Sequence, residues 1–166
     1  MPHSPARRDP VVAVVGAGVA DEDDRAAAHR IGHALAAAGA TIVCGGLGGV
    51  MEAACAGAVE AGETTVGLLP GSARGDANPH VQVAIPTGLG EARNTLVVRA
   101  ADVVVAVGGE YGTLSEIAFA LKVGVPVVGL GTWQLVRRDE VDEGIVVATD
   151  ADDAVARVLA LLGRRR

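Results

Sequence analysis

Three glycine-bearing segments in this chain could hold an anion. They are Gly16-Ala17-Gly18, Gly45-Gly46-Leu47-Gly48-Gly49 and Gly108-Gly109-Glu110-Tyr111-Gly112-Thr113. Glycine lets backbone N–H groups approach a phosphate closely, and a helix that follows adds partial positive charge. Four glycines in the five positions 45–49 exceed what a turn needs, which favours close approach of a ligand. Arg93 offers a planar fork that fits phosphate or carboxylate, and Asn94 beside it adds a neutral donor and acceptor. Arg99 is six residues further on, on a different helical face, so one of the two arginines reads as surface.

Each segment also has a plainer reading. Gly16-Ala17-Gly18 begins like a dinucleotide fingerprint, but Asp21 stands where the third glycine belongs. Cys44 ends the second strand, where a ribose-binding acid would stand, and both departures count against a nicotinamide cofactor. No Gly-Lys-Ser/Thr follows Gly49, so the segment is not a Walker loop. Thr113 and Glu116 are spaced as a capping box in the first turn of a helix. Thr113 either caps that helix or hands its hydroxyl to a phosphate, and both readings stand. His29 and His33 are one turn apart but lack a third ligand, so they read as a polar face and no metal is expected. Cys44 reads as core, and Trp133 as a surface or oligomer contact.

The elements that would position these residues are legible. Val11–Val15 is a β-branched run of the kind buried on both sheet faces. Helices are expected over Asp21–Ala38, Val50–Ala61, Gly90–Ala101, Thr113–Val123 and Asp150–Leu162. Strands are expected over Thr41–Cys44, Thr64–Leu69, Val81–Ile85, Asp102–Val107, Val125–Leu130 and Gly144–Ala148. Gly39 and Gly62 stop the first two helices. Residues 131–143 are weakly patterned. The alternation implies a Rossmann-like, doubly wound α/β fold, a mainly parallel sheet with helices on both faces. Ligands bind such sheets beyond the carboxyl ends of the strands, where all three glycine segments emerge.

Composition narrows the classes. The 166 residues suit one domain over residues 10–166, with residues 1–9 as a disordered lead-in. Half the residues are apolar, but only Tyr111, Phe119 and Trp133 are aromatic, so Val, Ala, Leu and Ile must build the core. The net charge of −6 argues against broad contact with nucleic acid or an anionic membrane. Ile31–Met51 is uncharged but broken by Gly39 and the glycine loop, so it is not read as a span. Cys44 and Cys55 make neither a disulfide scaffold nor a zinc pattern, and a cytoplasmic protein is expected.

Together these residues resemble the LONELY GUY, or lysine-decarboxylase-like, superfamily (SLOG). That family carries Gly-Gly-Gly-x-x-Gly-Leu-Met-Gly, and here Cys44–Glu52 reads Cys-Gly-Gly-Leu-Gly-Gly-Val-Met-Glu. It also carries Pro-Gly-Gly-x-Gly-Thr-x-x-Glu, a slot filled here by residues 108–116. The family's upstream Arg-Lys is Arg93-Asn94. The stretch Ile85–Asn94 is similar to the bacterial branch of molybdenum-cofactor carrier-like proteins. The departures that bear on the site are Gly108 for proline, Glu110 for glycine, Asn94 for lysine and Glu52 for glycine.

The resemblance implies a binding protein for a phosphorylated small ligand, a nucleotide or a molybdopterin-type cofactor. No cofactor is firmly implied, and the molybdenum cofactor enters only as a bound ligand. The alternative implied is a nucleoside 5′-monophosphate phosphoribohydrolase with Arg93 and Glu116 as its catalytic pair. A carboxylate there would stabilise an oxocarbenium-like transition state. The candidate ligand-binding residues are Gly16, Gly18, Gly45, Gly46, Gly48, Gly49, Met51, Asn94, Gly108, Gly109, Tyr111, Gly112 and Thr113. A homodimer or homotetramer is also expected.

Overall fold

The structure, a computed structural model, describes residues 9–164. The expected lead-in, apart from Asp9, therefore lies outside the described residues, as do Arg165 and Arg166. The chain opens with β1 (Val11–Gly16), α1 (Glu22–Ala37), β2 (Thr41–Cys44), α2 (Val50–Glu60) and β3 (Thr65–Leu69). Then come β4 (Val83–Pro86), a 3-10 turn (Gly90–Arg93), α3 (Asn94–Ala100), β5 (Val103–Val107) and α4 (Tyr111–Val123). Last are β6 (Val127–Leu130), a hairpin of β7 (Val136–Arg137) and β8 (Glu140–Val141), β9 (Ile145–Ala148) and α5 (Ala151–Gly163).

Seven strands form one parallel sheet in the order β4-β3-β2-β1-β5-β6-β9. The chain runs outward from β1 to β4, then returns to place β5 against β1. That reversal is the switch point of a Rossmann-like fold. Gly16 pairs with Val107 there, so the loops after β1 and β5 diverge from adjacent strand ends.

The alternation along β1 sorts the core into two layers. Val12 and Val14 pack with α1, α2 and α5 residues such as Ile31, Leu35, Ala54 and Val158. Ala13 and Val15 pack on the other face with Val97, Val98, Ile117 and Ala120 of α3 and α4. Each fully buried valine contributes about 2 kcal/mol relative to exposure. With no aromatic in the fully buried core, small residues bring α1 and α2 close. A Cβ on Gly32 would collide with the Ala54 carbonyl, and one on Gly57 with the His29 carbonyl.

Local chemistry sets most boundaries. Asp21 caps α1 by accepting the Asp24 N–H at 2.8 Å, and Asp150 caps α5 through Asp153 N–H at 2.8 Å. Three expectations need correction. Thr113 and Glu116 are not a capping box, because α4 starts two residues earlier with Glu110 as its N-cap residue, and no side chain caps it. Glu116 therefore stands in the second turn of α4, not the first. The helix expected over Gly90–Ala101 is a 3-10 turn followed by an α-helix, with Arg93 at the junction. The weakly patterned stretch contains the β7–β8 hairpin, turned by Arg138 and Asp139 at φ 52° and 65°.

Candidate functional site

A cavity of about 340 Å³ opens at the switch point. Gly16, Ala17 and Gly18 line it from the loop after β1, and Leu47 and Met51 from the loop after β2 and the start of α2. Pro70, Glu91, Arg93 and Asn94 come from the segments between β3 and α3, and Glu110, Gly112, Thr113 and Glu116 from the head of α4.

Arg93 is 8% exposed, and Glu116 is 7% exposed. Arg93 Nη2 donates to the Gly45 carbonyl at 3.2 Å, and Nη1 donates to Asn94 Oδ1. Its Nε is buried without a partner. Glu116 makes no hydrogen bond or salt bridge among the described residues. Burial pushes its carboxyl up to about 7, opposed by the positive charge of Arg93. Burial in turn lowers the Arg93 guanidinium, opposed by Glu116 and Cys44. Both groups thus carry unused polar capacity in a largely enclosed place, where a ligand partner is worth most.

Asn94 is a link. Its Nδ2 donates to Ser115 Oγ at 3.4 Å, and Ser115 Oγ donates to the Gly112 carbonyl at 2.6 Å. The chain from Arg93 through Asn94 and Ser115 thereby ties the start of α3 to the start of α4. Thr113 is 3% exposed, and its side chain packs against the Cα of Gly109.

Gly108 has φ +52°, a value closed to proline, whose ring fixes φ near −65°. The carboxylate of Asp24 occupies the place where a Cβ of Gly108 would stand. Burial, then the charges of Asp21 and Asp23, raise the Asp24 carboxyl above its usual range. The departure from the family proline therefore has a local reason: α1 lends a carboxylate to this corner.

The expected site residues, the catalytic pair Arg93 and Glu116 included, divide in two. Gly16, Gly18, Met51, Arg93, Asn94, Gly112, Thr113 and Glu116 line the cavity. Gly45, Gly46, Gly48, Gly49, Gly108, Gly109 and Tyr111 do not. The Gly46 N–H is taken by Cys44 Sγ at 3.2 Å, and the Val50 N–H at the start of α2 by the Ala17 carbonyl at 3.1 Å. Two of the donors nearest the second glycine loop are thus spent inside the fold. Tyr111 is 80% exposed at the rim and its ring lies 5.6 Å from that of Trp133. Trp133 Nε1 donates to the Glu110 carbonyl at 3.2 Å, so this indole makes an intramolecular contact beside the site.

Ala17, Leu47 and Glu110, members of the three glycine segments, also line the cavity, and so do Pro70 and Glu91, which are not among the candidate site residues. Glu110 and Glu91 are exposed at the mouth. Away from the site, His29 Nε2 pairs with Glu60 at 3.1 Å. Arg99 lies over the Phe119 ring at 5.5 Å. Among the described residues no three His, Cys, Asp or Glu gather in a way that could hold a metal ion. None of the described helices is long and apolar enough to cross a membrane.

Comparison with solved structures finds the same fold. The molybdenum cofactor binding protein of the phototrophic bacterium Rippkaea orientalis aligns with a TM-score of 0.85 at 32% identity, over 95% of this chain and 99% of that one. The Moco carrier protein of Chlamydomonas reinhardtii aligns at 0.82 and 37% identity, again over 95% and 99%. An uncharacterized protein of Archaeoglobus fulgidus is 43% identical over 119 residues, 72% of this chain and 78% of its own length. The model of the SLOG cluster4 family matches residues 9–156. With that match spanning the sheet and every loop that lines the cavity, the chain belongs to the SLOG cluster4 family.

Proposed function

We propose that the chain binds a phosphorylated small cofactor, of molybdopterin or nucleotide type, in the cavity at the switch point. One observation carries the reading: Arg93 is more than nine-tenths buried, lines the cavity and has an unpartnered Nε. A buried guanidinium with a free N–H is matched by an anionic oxygen, through a charge-assisted hydrogen bond. The cavity volume lies in the range of small-ligand sites. The carboxyls of Glu91 and Glu110 at the mouth match a ring that presents N–H donors, as an amino-pyrimidinone edge does. The names of the Rippkaea and Chlamydomonas relatives support the same cofactor class.

A second reading rests on Glu116. A buried carboxyl without a partner, beside an arginine, is the equipment for N-glycosidic cleavage of a nucleoside 5′-monophosphate. Glu116 would stabilise the developing oxocarbenium ion and position water, while Arg93 oriented the phosphate.

The test uses the purified chain with molybdenum cofactor and a panel of nucleoside 5′-monophosphates. Binding at a hundredfold excess over Kd stabilises the fold by about 2.7 kcal/mol, a melting shift of roughly 5–10 °C. Stabilisation without release of free base supports the binding protein. Release of base and ribose 5-phosphate, absent in Glu116→Gln, supports the hydrolase. No shift and no release with any of them overturns both.

A further inference from the structure

Cys44, Met51 and Cys55 are the only sulfur-bearing residues of the chain after Met1. All three meet in one buried cluster. Cys44 ends β2, while Met51 and Cys55 are one turn apart on α2 and so share the helix face that meets the strand. The two thiol sulfurs are 3.5 Å apart, and Cys44 Sγ also accepts the Gly46 N–H at 3.2 Å. Both cysteines are fully buried, but Met51 lines the cavity, so it is the residue through which the cluster borders that space.

This donor set is soft throughout. Thiolate and thioether ligands select monovalent copper over magnesium or calcium, which take oxygen. Zinc in a structural site asks for four nitrogen or sulfur ligands, and only three sulfurs are present. We propose that Cys44, Met51 and Cys55 form a three-coordinate, all-sulfur site for Cu(I), entered from the cavity past Met51.

Metal–sulfur bonds of about 2.3 Å at 120° set the sulfurs about 4.0 Å apart. The thiol pair must therefore open by about 0.5 Å from its present 3.5 Å separation. The third donor is methionine, an unbranched side chain that adapts to an irregular site. On binding, two S–H bonds are lost, two copper–thiolate bonds and one copper–thioether bond form, two protons leave, and copper stays Cu(I). The resulting unit carries one negative charge. It lies beside Arg93, whose Nη2 is already fixed on the carbonyl of Gly45, the residue after Cys44. None of the cavity's charged groups ligates the metal, so this site and the proposed phosphorylated-ligand site can fail separately.

The test titrates the reduced protein, without oxygen and under a phosphine reductant, against Cu(I) held by bicinchoninate. The expected result is withdrawal of one equivalent and a native-mass gain of about 62.5 Da, one Cu(I) for one proton at equal charge. Cys44→Ser and Cys55→Ser should each weaken binding by at least about tenfold, and Met51→Leu, which keeps both thiols, by about tenfold. X-ray absorption on the wild type needs no variant and should give three sulfur neighbours at about 2.3 Å. The proposal is overturned if the chelator keeps its copper. It is equally overturned if the bound copper shows nitrogen or oxygen neighbours in place of sulfur.

Discussion

Arg93 and Glu116 line one cavity, each more than nine-tenths buried, yet no salt bridge joins them. Arg93 is turned aside by the Gly45 carbonyl and by Asn94. Glu116 keeps its carboxyl unpaired, and burial outweighs the attraction of Arg93. Both groups keep polar capacity that the fold does not use, and that has consequences for stability and for binding.

The first consequence is a pH-dependent cost. The Glu116 carboxyl stands at about 7 in the folded chain and 4.5 in the unfolded reference. The folded state therefore binds this proton more tightly. The stabilisation it gives is complete below pH 4.5 and is lost as pH rises through about 7. Glu116→Gln removes the ionisation while keeping the shape. We expect the variant to be more stable than wild type at pH 8, by on the order of 1–3 kcal/mol, and nearly equal to it at pH 5. Melting curves at the two pH values decide it; a difference that does not change with pH contradicts the assignment.

The corner between α1 and the third glycine loop gives another prediction. Gly108→Ala forces a side chain into a positive φ and into the Asp24 carboxylate. We expect a loss of about 2 kcal/mol or more in urea unfolding. Gly108→Ala combined with Asp24→Ala relieves the collision but not the dihedral, so it should recover only part of the loss. Full recovery would show that the backbone at Gly108 is unstrained by a side chain.

The sheet and its order of elements were legible because their signals are local. The run Val11–Val15, the glycine stops at Gly39 and Gly62, and the acids at the head of α1 each act within a few residues. The head of α4 was not legible. Thr113-x-x-Glu116 matches a capping spacing, but the chain turns into the helix earlier, through Gly108 and Gly109 at φ 52° and 102°. The β7–β8 hairpin turns on Arg138 and Asp139 with positive φ and no glycine, so it left no turn signal. Pro70 and Glu91 reach the cavity wall from segments whose meeting with the glycine loops depends on strand order rather than on their own sequence. Arg93 was legible as an anion fork, but its burial and its hydrogen bond to the Gly45 carbonyl, 48 positions away, were not.

Close packing of α1 on α2 rests on two glycines, and it can be tested apart from the site. Gly57→Ala places a Cβ on the His29 carbonyl, and Gly32→Ala places one on the Ala54 carbonyl. Both obstacles are backbone atoms, so a side-chain rotation cannot relieve them. We expect each variant to lose about 1–3 kcal/mol despite the better helix propensity of alanine. A neutral or stabilising effect in denaturant titration would mean the helices separate at little cost.

Anion binding should follow the protonation of Glu116. The cavity holds one guanidinium and the carboxyls of Glu91, Glu110 and Glu116. An incoming phosphate is repelled by an ionised Glu116 and spared that repulsion when the group is neutral. Bound anion therefore raises the carboxyl further, and by linkage affinity must rise as pH falls through about 7. We expect affinity for a phosphodiester, whose own charge is constant over this range, to increase about tenfold from pH 8 to pH 6. Glu116→Gln should bind at all pH values about as wild type does at pH 6. Arg93→Ala should lose on the order of a hundredfold at every pH, since it removes the charge-assisted donor itself. Calorimetric titration of the three proteins at pH 6 and 8 separates the roles. An affinity that rises with pH in the wild type would mean instead that the ionised carboxylate accepts hydrogen bonds from the ligand, and that Glu116 faces its donor-bearing ring rather than its phosphate.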